Sequence, residues 1–330
     1  MTAATFPFLV QHFFMSQLGD SGASTHTVAG YRDAFRLLLR FATDRLGRAP
    51  SNLLLEQIDA QLVGDFLNHL EAKRGNSART RNTRLAGLHA FFRYVAINEP
   101  CHALHCQRVL AVPRKRYERG PVEFLTEEEA QALVAAPDLH TWIGRRDRAL
   151  LLVAVQTGLR NSEITSLRRK EVELGAGAHV RCLGKGRKAR RTPLRPDVAK
   201  VLDAWLREQE GEPTDPVFPS SRGGPISADA FQRLVAKHTA TASKGCASLR
   251  RKRVKPHTLR HTAAMDLLRR GVDLSVIGLW LGHESTQSTE AYLHADMRLK
   301  EQALGHATSS GAIPKRYTPA DPLLAFLEAL

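Results

Sequence analysis

The sequence contains few cysteines and no long apolar run, and each scarcity narrows the class of protein. Its 330 residues include four cysteines, too few for a disulfide framework, so we expect the reduced thiols of a cytosolic protein. No stretch reaches the roughly 18 apolar residues of a membrane-spanning helix. The apolar N-terminus lacks the basic start and the small-residue cleavage site of a secretory signal. We therefore expect a cytoplasmic protein that does not engage membranes.

Motifs for metal-dependent or nucleotide-dependent phosphoryl transfer are also missing. The sequence has no Walker loop of the form GxxxxGK[ST], and its acidic residues form no triad beside the basic motifs. Cys101, His102, His105 and Cys106 have metal-ligand residue types, but no second pair completes a zinc set. Aromatic residues make up only 6% of the chain, which argues against an RNA-stacking platform. The sequence thus predicts a protein that needs neither a metal nor ATP.

Positive charge is what the sequence has in excess. Lys and Arg number 48 against 33 Asp and Glu, which gives a net charge of +15 and a pI near 10.1. Such a field favours an anionic partner, usually nucleic acid, although a basic protein without such a partner is the alternative. The basic residues that we select as candidate DNA contacts, each with a solvated surface as its alternative, are Arg79, Arg81, Arg84, Arg114, Lys115, Arg116, Lys188, Arg251, Lys252 and Arg253.

The periodicity of apolar residues divides the chain into two units. The first third carries three amphipathic helical stripes, which open at Ser24 or Thr25, at Asp59 and at Ser77. Residues 107–122 hold two prolines, a glycine and five basic residues, a composition that indicates a basic linker. The predicted organisation is a helical domain over 1–106, a linker over 107–122, a second domain over 123–305 and a tail over 306–330.

The second domain is predicted to be mostly helical with one small antiparallel sheet. Thr126 and Glu129 form a capping box, and the apolar run 149–155 indicates a buried helix that stops at Gly158. Glycine-rich turns separate three strand-like segments: 171–174, 179–183 and 189–194. Later helices are predicted from Pro196, from Ser227 through Val235, and from Asp273 to Leu281. The fold class is therefore mainly α with a small antiparallel β-sheet in the C-terminal domain.

Five short stretches of the second domain carry groups that phosphoryl transfer can use. They are TGLRNSEITSL (157–167), LGKGRKARRTPL (183–194), PHTLRHT (256–262), LGHEST (281–286) and STEAYLHAD (288–296). Arg160 follows a tight turn at a helix start, where a guanidinium can grip two phosphate oxygens. Lys185 lies between two glycines at a hairpin tip that can reach a DNA groove. Each residue alone is more often a solvated charge or a packing residue, so the inference depends on the ordered set.

In this order and with these flanks, the five stretches resemble the catalytic signature of the tyrosine recombinase (phage integrase) family over about residues 123–305. The resemblance implies a two-domain C-shaped clamp in which residues 1–106 form a SAM-like core-binding domain. It also implies a site-specific DNA recombinase or integrase that cuts and rejoins double-stranded DNA through a 3′-phosphotyrosine, without cofactors. The implied catalytic residues are Arg160, Lys185, His257, Arg260, His283 and Tyr292.

Three of these residues match family positions that bind the phosphate. Arg160 and Arg260 correspond to the two arginines that hold the scissile phosphate, and His283 corresponds to the His/Trp position that hydrogen-bonds it. Preorganised donors stabilise the charge that builds on the non-bridging oxygens during attack on phosphorus. The two arginines must therefore lie close enough to share one anion. If they lay far apart, the predicted function would be reduced to duplex binding.

The other three match family positions that move protons. Tyr292 corresponds to the nucleophile, His257 to the histidine that assists proton transfer from it, and Lys185 to the hairpin lysine that protonates the departing 5′ oxygen. A phenol with a pKa of about 10 is a weak nucleophile and needs a neighbouring base. We expect the ring of Tyr292 to be directed toward the site. A ring that points into the apolar interior would reduce the predicted function to simple duplex binding.

Two other functions remain open at this point. A type IB topoisomerase uses the same chemistry to relax DNA without exchanging partners, and a non-catalytic DNA-binding regulator keeps the scaffold after losing catalytic residues. The separate N-terminal helical domain favours recombination, and all six catalytic positions are filled. Xer-like and transposon-type integrases both fit the motifs; the basic run 244–255 and the tail favour the transposon type.

The resemblance also implies partners. Relatives act as tetramers on two DNA sites, so we expect self-association of this kind on nucleoid DNA, with other recombinase subunits as further candidate partners. The end of the tail, 319–330, is apolar at Leu323, Leu324, Phe326 and Leu327. We expect it to dock on the neighbouring subunit or, as the alternative, on its own chain.

Overall fold

The computed structural model describes residues 5–20, 22–117, 122–183 and 189–282, together with Thr289 and Tyr292. The chain divides between residues 119 and 120 into two compact units. No helix in the described ranges is long and apolar enough to cross a membrane. The predicted tail at 306–330 lies outside the described residues.

The first unit is a helical bundle whose helices begin where the sequence offers caps. Ser24 accepts a hydrogen bond from the backbone N–H of Thr27 at 3.1 Å, and Asp59 accepts one from Leu62 at 2.7 Å. Ser77 caps the third predicted helix in the same way. The helices are α1 (Phe6–His12), α2 (Leu18–Asp20), α3 (Thr25–Leu46), α4 (Ala60–Arg74), α5 (Ala78–Asn98) and α6 (Ala103–Leu110), with a π-helical turn at Phe13–Gln17 between α1 and α2.

The predicted apolar stripes form the core of this unit. Phe35, Phe66 and Phe92 are fully buried, and Phe91 meets Phe35 edge-on at a centroid distance of 5.2 Å. Edge-to-face pairs of this kind add to the free energy gained by burial. Helix α6 covers residues 103–110, so the first four residues of the predicted linker are helical. Among the described residues, no three His, Cys, Asp or Glu side chains are placed to hold a metal.

The second unit carries the predicted sheet between its helices. The strands β1 (Val172–Glu173), β2 (His179–Leu183) and β3 (Ala189–Pro193) form an antiparallel sheet in that order, with Val180 opposite Thr192. The helices are α7 (Glu127–Ala135), α8 (Trp142–Thr157), α9 (Asn161–Thr165), α10 (Pro196–Glu208), α11 (Ala228–Ala242), α12 (Pro256–Arg269) and α13 (Leu274–Leu281). The expected capping box at Thr126 and Glu129 is present. The predicted fold class is confirmed.

Helix α8 is tied to α11 by a buried polar network. Asp147, only 2% exposed, accepts hydrogen bonds from Arg146 at 2.7 Å and pairs with His238 at 2.8 Å. Arg146 also donates to the carbonyl of Pro219 at 2.9 Å. Because buried charges are costly unless they are paired and hydrogen-bonded, this network fixes how the two helices pack.

Candidate active site

The end of α8 and the start of α9 deliver Arg160. Gly158 ends α8 with φ = 63°, a left-handed conformation that glycine adopts without steric penalty. The backbone N–H of Arg160 then donates to the carboxylate of Glu163 at 2.7 Å, which caps the first turn of α9. Arg160 therefore sits at the N-cap with its side chain one-third exposed.

Arg160 and Arg260 meet at the C-terminal end of α13. Arg260, on α12 and 3% exposed, donates to the carbonyls of Gly158 and Leu281, each at 2.8 Å. Arg160 donates to the next carbonyl along the chain, that of Gly282, at 2.6 Å. The two guanidinium groups thus lie on carbonyls that are consecutive in the chain, and the charge of Arg160 acts on Arg260.

Two guanidinium groups give this site a concentrated positive charge, and that of Arg260 is buried. Desolvation, with a smaller contribution from neighbouring Arg160, lowers the pKa of Arg260 to about 10. That value is still far above neutral, so Arg260 is cationic at neutral pH. A cation held dry beside a second cation gains more from an incoming phosphate than a solvated one does.

The sequence prediction missed a third arginine at the same place. Arg190, on β3, donates to both carboxylate oxygens of Glu163, at 2.8 and 2.7 Å, and to the carbonyl of Trp280 at 3.1 Å. Burial opposes ionisation of Glu163, but the hydrogen bonds from Arg190 and Arg160 outweigh it and hold the pKa of this carboxyl below its ordinary value. The strand pattern contained a signal for Arg190: it shares a sheet face with buried Thr192, and a charge on a buried face requires a partner.

Tyr292 lies in the second unit beside His261, a residue that the sequence prediction did not select. The hydroxyl of Tyr292 is 3.0 Å from Nδ1 of His261, within the reach of a general base. His257, the predicted base, lies one helical turn earlier on α12, and its ring meets that of His261 edge-on at 4.3 Å between centroids. The structure thus brings two histidines to the phenol's side of the site.

The ring of Tyr292 is packed into the interior, which differs from the expectation of a ring directed toward the site. It is 2% exposed and contacts an apolar cluster that includes Met265, Ile277 and Leu281. Burial raises the pKa of its phenol, while the charge of Arg260 opposes that rise. The hydroxyl group therefore faces polar residues of the site even though the ring lies in an apolar pocket.

Two catalytic candidates and one DNA-contact candidate fall outside the described residues. Lys185 and Lys188 belong to the segment between β2 and β3, and His283 follows Gly282 at the end of α13. Their sequence positions put Lys185 on the connection that leads into the strand of Arg190, and put His283 one residue beyond the carbonyl that accepts from Arg160.

The candidate DNA contacts of the first unit lie on α5 and on the segment that follows α6. Arg79, Arg114 and Arg116 are exposed, Arg84 is half-buried, and exposed Lys115 pairs with Glu71 at 3.1 Å. Asn82 bonds the backbone of Lys115 in both directions, at 2.7 and 2.9 Å, and so holds this segment against α5. Arg81 is different: it is 8% exposed and donates to the carbonyl of Pro113. It serves this attachment rather than an exposed surface.

In the second unit the candidate DNA contacts also divide by exposure. Arg251 and Arg253 are exposed. Lys252 points into the protein, where its ammonium contacts Glu129 at 2.5 Å and donates to the carbonyl of Phe124 at 2.9 Å. Burial opposes the charge of Glu129, but Lys252 and other donors keep the pKa of this carboxyl below its ordinary value. Lys252 thus anchors the segment before α7, whereas Arg251 and Arg253 are exposed.

Comparison with known proteins identifies a family to which both units of the chain are similar. Residues 123–298 match the model of the phage integrase family, and residues 10–98 match that of the phage integrase N-terminal SAM-like domain. The chain is 49% identical to a putative integrase/recombinase, y4rC, of Sinorhizobium fredii, over 99% of both chains. It is 31% identical to the tyrosine recombinase XerD of Pseudomonas putida, over 90% of this chain and 96% of that one. Its fold resembles the XerH site-specific recombinase in a post-cleavage complex with its difH substrate (TM-score 0.67, 22% identity, 86% and 81% coverage).

Proposed function

This chain belongs to the phage integrase family of tyrosine recombinases, and we propose that it exchanges DNA strands between specific sites with Tyr292 as the nucleophile. The observation that carries this proposal is the pairing of Arg160 and Arg260 on consecutive carbonyls at the end of α13. Helix α12, which bears Arg260, also bears His261, whose ring meets the hydroxyl of Tyr292. One helix thus connects the phosphate-binding group to the nucleophile.

The reaction follows from these groups. The phenolic oxygen of Tyr292 attacks phosphorus, the bond to the 5′ oxygen breaks, and the phosphate becomes a 3′-phosphotyrosine ester. Arg160 and Arg260 stabilise the charge on the non-bridging oxygens. The phenolic proton passes to a histidine, His257 or His261, and Lys185 protonates the departing oxygen. The 5′ hydroxyl of a partner strand then attacks the ester and releases Tyr292, so the bond energy is conserved without ATP.

Cleavage requires a change at Tyr292. Its ring is enclosed in the apolar pocket, whereas the attacking oxygen must reach the phosphorus. We therefore include in the proposal that DNA binding draws the ring from this pocket and replaces the contact between its hydroxyl and His261. Burial keeps the phenol protonated until then, because it raises the phenol's pKa.

The proposed DNA surface consists of the exposed cations of both units. Arg79, Arg114, Lys115 and Arg116 supply it in the first unit, with half-buried Arg84 beside them, and Arg251 and Arg253 supply it in the second. The net charge of +15 supports binding that weakens steeply with salt, since each neutralised phosphate releases counterions. We propose that the protein assembles as a tetramer on two DNA sites inside the cell, by resemblance to its family.

Covalent trapping tests the proposal without knowledge of the target sequence. The substrates are duplexes of randomised sequence with a single nick. After cleavage, the short fragment between the cleaved bond and the nick dissociates and the strand cannot be rejoined. The phosphotyrosine adduct therefore accumulates, and it survives SDS. We expect wild-type protein to recover a defined set of sequences as adducts. Tyr292→Phe should bind the same duplexes and give no adduct; an adduct with this variant would refute Tyr292 as the nucleophile.

Strand exchange separates recombination from the alternatives. Two copies of a recovered sequence on separate duplexes should give recombinant products. Relaxation of supercoiled plasmid without such products would instead indicate a topoisomerase, and binding without any adduct would indicate a regulator.

A further inference from the structure

We propose that Arg190 is a positioning residue for strand cleavage: it engages Glu163 and the end of α13 so that Arg160 stays available to the DNA phosphate. This inference rests on the proposed function. Arg190 is not itself assigned a contact with DNA; it acts through Arg160.

Each of the three guanidinium nitrogens of Arg190 donates a hydrogen bond. Its Nη1 and Nη2 donate to the two carboxylate oxygens of Glu163, at 2.8 and 2.7 Å, and its Nε donates to the carbonyl of Trp280 at 3.1 Å. The side chain is 11% exposed, and that of Glu163 is 5% exposed. A planar fork of this kind matches a carboxylate in a way that no lysine can reproduce.

Glu163 is the residue for which Arg160 and Arg190 compete. It accepts hydrogen bonds from the backbone N–H of Arg160 at 2.7 Å and from Nη1 of Arg160 at 2.9 Å, in addition to the two from Arg190. A carboxylate accepts about four hydrogen bonds, so the set is complete. Without Arg190, two buried acceptor positions lose their donors, and the nearest cation able to fill them is Arg160. Its second nitrogen would then turn from the carbonyl of Gly282 to Glu163.

The balance of charge at the site supports the same role for Arg190. Arg160, Arg190 and Arg260 face one carboxylate, so the site has an excess of positive charge that suits a phosphate. With Arg190 removed, Glu163 offsets half of the remaining positive charge, and the arginine that it holds is one of the two that grip the DNA. Arg190 thus supplies two of the four hydrogen bonds to Glu163 and balances its charge, so Arg160 does not have to supply them.

The position of Arg190 also connects the parts of the site. Its strand follows the 184–188 connection that bears Lys185, and Trp280 lies three residues before His283. A Cβ atom at Gly282 would come within 2.8 Å of Nη1 of Arg190, so the chain passes close to the guanidinium where α13 ends. Displacing Arg190 would therefore disturb β3, α9 and the end of α13.

The test compares Arg190→Met with Arg191→Met, its neighbour on β3, which is exposed and carries the same charge. Single-turnover cleavage is measured on a nicked duplex recovered by the covalent selection, and affinity is measured on the same sequence. Arg190→Met should slow cleavage by up to about 100-fold with little change in affinity, and Arg191→Met should cleave like wild type. Equal cleavage by the two variants would overturn the proposal.

Two further variants separate positioning from a merely structural role. Glu163→Gln combined with Arg190→Met removes the carboxylate that captures Arg160, so the double variant should cleave faster than Arg190→Met alone. Arg190→Lys keeps the charge without the fork and should fall between Arg190→Met and wild type, and it serves where the Met variant does not fold. No recovery in the double variant would refute the competition for Arg160.

A crystal structure of the Arg190→Met or Arg190→Lys protein gives a readout that needs no DNA. Both terminal nitrogens of Arg160 should lie on Glu163, with the hydrogen bond to Gly282 lost. An unchanged Arg160 would refute the inference by itself. If wild-type protein forms no adduct, the proposed function fails. The crystal structure of the variant would still show whether Arg190 keeps Arg160 from turning to Glu163.

Discussion

Substituting Gly158 by alanine tests whether the turn after α8 holds Arg160 and Arg260, the proposed phosphate-binding arginines, in place. The residue combines a left-handed φ of 63° with tight packing: a Cβ atom there would lie 2.7 Å from Cδ2 of Leu281 and 3.0 Å from Cβ of Ala263. Its carbonyl accepts the hydrogen bond from Arg260 at 2.8 Å. Relief of the clash has to move the buried side chain of Leu281 or shift α12, α13 or the turn itself, and each of these elements contributes to the candidate site.

Gly271 is a matched control in the same unit. Its φ is 80°, and a Cβ atom there would meet nothing within 4 Å. Alanine costs about 1–2 kcal/mol at either position through left-handed backbone strain, and overpacking adds about 1–3 kcal/mol at Gly158 alone. The difference between the two variants thus isolates the packing between the turn and the end of α13.

Urea titration and thermal melting measure this difference. Gly158→Ala should lower the free energy of unfolding of the second unit by about 1–3 kcal/mol more than Gly271→Ala does, with an added drop in Tm of about 2–4 °C per kcal/mol. Cleavage by Gly158→Ala should also slow, because Arg260 loses its acceptor geometry, while Gly271→Ala should retain the rate. Equal destabilisation of the two variants would refute the packing argument.

Three further predictions concern charge and protonation. Asp147→Asn leaves buried Arg146 without its counter-charge, so urea titration should show a loss of about 3–5 kcal/mol, against about 0–1 kcal/mol for Asp203→Asn in a partly exposed surface pair; similar losses would contradict the buried pairing. Arg260→Ala should slow adduct formation by on the order of 10²–10³ and change duplex affinity far less, since other cations supply binding; parallel losses would count against a catalytic role. Because burial raises the pKa of Tyr292, stability that depends on the protonated phenol is present below about pH 10 and is lost as the pH rises through the raised pKa. Tyr292→Phe avoids that loss, so wild type should lose stability relative to it in alkaline urea titrations, and a pH-independent difference would show that the phenol is not buried.

The helices and strands could be predicted from the sequence because their boundaries are local. Ser24, Asp59 and Ser77 cap helices that apolar periodicity then continues, and the glycine at 158 ends α8 where the apolar run stops. Each of these signals acts over a few residues, within reach of pattern analysis. Arg160 and Arg260 lie together in the structure, but the ordered motifs indicated this pairing only through resemblance to a family.

The missed parts of the site depend on contacts between distant segments. Glu163 and Arg190 are 27 residues apart, and their bidentate pair exists only because the fold brings β3 within reach of α9 for an arginine side chain. His261 meets Tyr292 across 31 residues. No periodicity specifies which histidine of α12 faces the phenol or that the ring fills an apolar pocket, because both depend on how α12 and α13 pack. The family roles of all six catalytic candidates stay predictions: Arg160, Lys185, His257, Arg260, His283 and Tyr292.

Three arginines so close together repel one another, and the end of α13 explains how they are kept in place. The last turn of a helix leaves carbonyls without intrahelical donors, at the negative end of the helix dipole. Each of three consecutive carbonyls, those of Trp280, Leu281 and Gly282, accepts from a different arginine: Arg190, Arg260 and Arg160, respectively. Carbonyls carry only partial charge, so they order the guanidinium groups without cancelling their charge. A carboxylate in their place would compete with a phosphate. Glu163 is the carboxylate that Arg160 and Arg190 share among the described residues, and in our proposal Arg190 neutralises it.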